Sequence, residues 1–169
     1  GSARTINHNL GVAPEMMWVK RRSGAVNWAI YYGDNTDYMI LNSNSAGIDN
    51  ANFWNDTSPT SSVFTLGNDN DVNANGETYI GYLFATAAGV SKIGSYTGNG
   101  STTGPTVDCG FSGSPSFILI KRTASTGSWY VFDSARGIAD GNESQIYLNN
   151  TSAEQTASDQ IDPTSSGFQ

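Results

Sequence analysis

Apolar residues in this chain come in short runs separated by polar, turn-forming segments. Met16-Met17-Trp18-Val19 runs into Lys20-Arg21-Arg22, and Phe117-Ile118-Leu119-Ile120 runs into Lys121-Arg122. Each run follows a proline closely and is too short for a globular helix, so each predicts a central strand that ends where cations meet solvent. Beyond Ser-Gly and Thr-Gly turn chemistry come Asn27-Trp28-Ala29-Ile30-Tyr31-Tyr32 and Ser128-Trp129-Tyr130-Val131-Phe132-Asp133. Core strand and aromatic strand should therefore form a hairpin. Residues 5–10 predict a short strand before Gly11, and Ser91 to Tyr96 another. Glu77 to Thr86 is the longest alternating stretch, with Thr78, Ile80, Tyr82 and Phe84 on one face and Tyr79, Leu83 and Ala85 on the other. Helix is expected for a turn or two, near Ala153-Glu154.

These landmarks are written twice. Pro14, Lys20, Arg21 and Trp28 recur as Pro115, Lys121, Arg122 and Trp129, each 101 residues on, and Ile6 and His8 fall opposite Val107 and Cys109. The copies then drift but stay in step: Met39-Ile40-Leu41-Asn42 answers Ile146-Tyr147-Leu148-Asn149, and Pro59-Thr60-Ser61-Ser62 answers Pro163-Thr164-Ser165-Ser166. The expected organisation is one duplicated region, with repeat one at about 5–88 and repeat two at about 90–169. Roughly a dozen short strands predict an all-β fold, an antiparallel β-sandwich of the jelly-roll type with an internal duplication. The second copy has no counterpart of the strand at Glu77 to Thr86. Either its sheet keeps an unpaired edge, or that strand serves both copies.

Composition narrows the function classes. With 169 residues the chain can bury a core without staples, and at 14 % charged residues its polarity lies in Gly, Asn, Ser and Thr. A net charge of −7 opposes binding to nucleic acid or an anionic membrane. Cys109 is the only cysteine and His8 the only histidine, so neither an intramolecular disulfide nor a Cys/His zinc site is expected. No apolar run approaches the roughly 20 residues of a membrane-spanning helix. The Gly1-Ser2 pair resembles a tag-cleavage remnant, so further natural chain on either side is expected.

The candidate chemistry is sparse. Asp69, Asp71, Asn73 and Asn75, followed by Gly76, place oxygens at alternate positions as the opening of a calcium loop does, and calcium is the one cofactor suggested. The same segment reads more readily as an Asn-rich turn: Tyr82 stands where an EF-hand needs glutamate, and Asn75-Gly76 is hairpin-turn chemistry. Trp28, Trp129 and above all Trp54, in the polar stretch Asn52-Phe53-Trp54-Asn55, are candidates for stacking against sugar rings. Asp133 and Arg136 could contact a ligand or simply brace a turn. No nucleophile motif, phosphate loop or dinucleotide fingerprint is present, and no carboxylate pair is arranged for glycoside hydrolysis, so an enzyme is not expected.

The second copy, from Pro115-Ser116-Phe117-Ile118-Leu119-Ile120-Lys121-Arg122 through Trp129-Tyr130-Val131-Phe132-Asp133-Ser134-Ala135-Arg136-Gly137 to Ser166-Gly167-Phe168, resembles an uncharacterised repeated domain of structural proteins from tailed, often marine, bacteriophages. The first copy resembles it too, including Val72-Asn73-x-x-Gly76-x-x-Tyr79, but has Tyr32-Gly33-Asp34 in place of Asp133 to Gly137. The resemblance implies a concanavalin-like or jelly-roll sandwich on a virion or other extracellular appendage such as a tail fibre. The partner expected on that basis is a host-surface glycan or another virion protein, with a homo-oligomer as a further option. Alternatives are a purely structural decoration module and, third, a fragment of a polysaccharide-active enzyme.

Overall fold

The computed structural model describes residues 2–169; Gly1 lies outside them. The chain is all-β and antiparallel, with the architecture of a β-sandwich and two single-turn helices. In order the elements are β1 (Arg4–Asn7), β2 (Met16–Arg21), β3 (Ala29–Tyr31), β4 (Asp37–Ile40), β5 (Ile48–Asp49), α1 (Ala51–Trp54), β6 (Val63–Leu66), α2 (Asn70–Asn73), β7 (Tyr79–Phe84), β8 (Val107–Asp108), β9 (Phe117–Lys121), β10 (Trp129–Asp133), β11 (Glu143–Tyr147), β12 (Gln155–Ser158) and β13 (Gly167–Phe168). They divide into two compact units. The first runs to Ala85 and includes Arg122–Gly127; the second comprises Thr86–Lys121 and Ser128–Gln169.

In the first unit a five-stranded sheet, ordered β5-β4-β3-β2-β7, lies against the pair β1-β6 and both helices. The β2–β3 register, Met17↔Tyr31 and Val19↔Ala29, aims all four side chains into one core with Phe64 and Leu66 of β6. α1 adds Phe53 and Trp54. Its start is capped by Asn50, whose side chain accepts the Asn52 N–H, and its end by Asn55 in the left-handed region. Phe53 then stacks on Tyr38 with ring centroids 3.5 Å apart, and Trp54 Nε1 donates to Asp37 O at 3.0 Å. Gly67 follows β6 where a Cβ would overlap the Asn52 carbonyl, so β6 can run hard against the helix.

The second unit pairs a four-stranded sheet, β12-β11-β10-β9, with β13-β8. Ile118 and Phe132 meet Ile161 and Phe168 in its core. Corresponding positions of the sequence repeat share their register: Met17↔Tyr31 answers Ile118↔Phe132, and Ile6↔Phe64 answers Val107↔Phe168. The hydrogen bonds around the aromatic strand also correspond. Asn42 Oδ1 accepts the Trp28 N–H and Asn149 Oδ1 the Trp129 N–H, while Leu41 and Leu148 donate back to the carbonyls of the two tryptophans.

Two local expectations are corrected. Ala153-Glu154 is not helical: Asn150 holds the Ser152 N–H in a tight turn, and the chain then extends into β12 to pair with β11. Helix forms instead at residues 51–54 and 70–73, where an Asn or Asp cap precedes side chains that the core takes in. Residues 91–96 form no strand, only a bridge from Ser91 to Ala87, because Ile93 donates to the Thr86 hydroxyl and the ladder does not propagate. Among the described residues the strand at Tyr79–Phe84 pairs with β2 alone.

Trp54 is 1 % exposed. Replacing it with alanine should cost about 3–5 kcal/mol of unfolding free energy in chemical denaturation. Half-buried Trp28 changed to alanine should cost well under that.

Candidate recognition site

Antiparallel pairing sets Trp18 directly opposite Tyr82, which puts both on the face of the sheet away from Met17 and Val19. Phe84 lies on the same face, its ring centroid 5.2 Å from that of Trp18. Trp28 completes the group, stacked on Tyr82 with centroids 6.4 Å apart and planes inclined by 23°. Tyr82 is 45 % exposed, and Trp28 is half-buried. At the Trp28 backbone, the Asn42 amide donates to Asn27 Oδ1 at 3.0 Å while its own Oδ1 receives the Trp28 N–H. Both asparagines are exposed. An aromatic surface flanked by fixed amides can stack against the C–H face of a sugar and bond its hydroxyls.

Of the tryptophans anticipated as ligand contacts, only Trp28 is at the surface. Trp54 is corrected from an exposed loop residue to a core residue, because the single-turn helix directs its indole inward onto Tyr31 and Asp37. Trp129 is likewise buried, with the Lys121 ammonium 6.0 Å from its ring. Asp133 and Arg136 are brought together as an ion pair. The Arg136 N–H also donates to Asp133 Oδ1 at 3.0 Å, and Glu154 Oε1 lies 4.0 Å from the guanidinium. The pair braces the turn that ends at Gly137, whose φ is 100°.

The Asp/Asn segment spans α2 and the turn before β7. Asp69 caps α2 by accepting the Asp71 N–H, and the amide of buried Asn73 donates to the carbonyls of Ser2 and Gly67. Asn75 is exposed beside Gly76 in the turn before β7. Among the described residues no three His, Cys, Asp or Glu side chains are grouped to hold a metal. His8 is half-buried, with Nε2 donating to Thr60 O and Nδ1 accepting the Leu10 N–H.

Two features were not anticipated. Tyr82 was legible as one face of an alternating strand, but its partners depend on pairing across 64 residues to Trp18. The other is Glu143 on β11, only 1 % exposed. Its Oε1 accepts the N–H groups of Gln160 and Ile161 at 2.8 and 3.3 Å, and Oε2 has no partner among the described residues. Burial pushes its carboxyl above the ordinary 4.5, against the lowering effect of those N–H groups. A shallow cleft of about 210 Å³ opens beside this loop, lined by Asp159, Asp162, Gln169 and residues 101–104.

The family described as Domain of unknown function (DUF7483) matches residues 1–169 of the chain. The chain belongs to this family. Comparison of this DUF7483 chain with curated proteins and with solved structures yields no match.

Two outcomes follow from this geometry. Asp69→Ala should cost about 1 kcal/mol of stability as a lost cap, equally in calcium and in chelator, when unfolding is followed by circular dichroism. Glu143 binds its proton more tightly folded than unfolded, so its contribution to stability is fully present below 4.5 and is lost as pH rises through the folded value. Glu143→Gln should therefore flatten that part of the stability–pH profile, measured by urea unfolding from acid to neutral pH, and a steeper profile would contradict it.

Proposed function

We propose that this chain is a non-catalytic β-sandwich module of a virion appendage that recognises host-surface carbohydrate. The observation that carries the reading is the stacked Trp28–Tyr82 pair, with Tyr82 exposed on β7 and the Asn27 and Asn42 amides beside it. Such a surface stacks on a sugar ring while the amides discriminate hydroxyl positions. The virion context is supported by the resemblance of both copies to repeated domains of tailed-phage structural proteins. Calcium has no part in the reading, since Asp69 is engaged in capping α2 and the Asn73 amide in backbone contacts.

A second reading, a structural or decoration module without a ligand, is favoured by the burial of Trp54 and Trp129, which spends two of four tryptophans on packing. A glycan array separates the two. Under the recognition reading the chain binds a defined set of glycans, and Tyr82→Ala or Trp28→Ala weakens binding by about tenfold or more without unfolding the protein. An array that stays blank, or binding that both variants retain, supports the structural module. Release of reducing sugar from a polysaccharide would displace both readings in favour of an enzyme.

A further inference from the structure

Corresponding strands of the two copies differ in one respect. β2 is paired on both edges, by β3 and β7, whereas β9 is paired by β10 alone among the described residues. We propose that the outer edge of β9 is a strand-acceptor site for an extended segment of a partner polypeptide written like β7. That segment is antiparallel, alternately apolar, and acidic at its N-terminal flank.

Backbone polarity supports this. In β2 the Arg22 N–H donates to Thr78 O, so by alternation Met16, Trp18 and Lys20 direct their main-chain groups at β7. In the second copy the Ser134 N–H donates to Ser116 O, so Ser116, Ile118 and Ile120 direct theirs at β10. Phe117 and Leu119 therefore aim N–H and C=O groups at the open edge, at the positions equivalent to Met16 and Trp18. Unpaired main-chain groups of this kind are the template for strand addition.

Exposure agrees. Phe117 is 58 % exposed, while its counterpart Met16 is half-buried opposite Phe84; Ile120 is half-buried, while its counterpart Val19 is 3 % exposed. Tyr79 and Leu83 of β7 cover the first core, and the second core has no such contribution. Charge specifies the flank. β7 carries no charge of its own but is preceded by Glu77, which accepts a hydrogen bond from Ser23 just past Lys20-Arg21-Arg22. β9 likewise runs into Lys121-Arg122, so the sequence beside its open edge repeats the cationic flank of β2.

The probe is a synthetic peptide copying residues 77–86 (ETYIGYLFAT), with a scrambled version as control, titrated into the full chain by fluorescence anisotropy and followed by amide hydrogen exchange. Saturable binding with new protection at Phe117 and Leu119 is expected. Phe117→Pro removes an outward N–H without touching the β10 ladder, and should weaken binding about tenfold or more while the circular dichroism spectrum is retained. Phe117→Ala keeps the N–H and should weaken it less, which holds the proposal testable if the proline variant misfolds. Equal binding of the scrambled peptide, protection at another strand, or no binding by folded protein would overturn it. So would a concentration-dependent dimer that protects Phe117 and Leu119 without peptide, since the occupant would then be a second copy.

Discussion

A slip of one residue between β2 and β3 would turn one strand's inward pair, Met17 and Val19 or Ala29 and Tyr31, from the core to the opposite face, and the first unit would lose half the floor on which everything else rests. The same constraint holds for β9 and β10, where Ile118 and Phe132 occupy corresponding places. In both units an asparagine guards this register from the side. Its Oδ1 takes the tryptophan N–H at the head of the aromatic strand, and just past the end of the following strand a leucine N–H bonds the tryptophan carbonyl. A side chain thus supplies one rung where the ladder would otherwise stop, which is worth about 1 kcal/mol where it is shielded from water.

From that common hairpin the units complete their cores by different means. The first brings in aromatic mass through α1, whose Asn caps satisfy the helix ends that a single turn leaves open. The second holds a loop inward with a carboxylate, because Glu143 binds the Gln160 and Ile161 amides and so seats Ile161 in the core. Burying that group costs desolvation, and the raised proton affinity of Glu143 expresses the cost. The gain is an ordered chain leading to β13, which pairs with β8.

What remains at the surface is set by which positions these cores leave unused. On the β2–β7 face the rings of Trp18, Trp28, Tyr82 and Phe84 form a contiguous aromatic group, and its outer member, Tyr82, keeps an accessible ring. Asp133 and Arg136, which stood out as a charged pair in the sequence, spend their charges on each other and on the turn between them. An exposed ion pair of this kind is a weak stabiliser. It is also a poor ligand contact, because each charge is already matched.

Much of this was determined by the sequence alone. Short apolar runs ending in cations, turn dipeptides before aromatic strands and their recurrence at constant spacing specify an all-β, antiparallel chain and the hairpin of each copy, since periodicity and turn chemistry are local properties. Burial is not local. The pair Phe53-Trp54 is enclosed by Asn52 and Asn55, yet a four-residue helix turns Trp54 into the core, while Tyr82, on a strand of ordinary alternation, stays open. Only the tertiary structure decided which aromatics pack and which are presented, and it alone showed that β7 closes β2 and leaves β9 an edge. The physical reason is that exposure and pairing depend on contacts across tens of residues, and no window of the chain contains both partners.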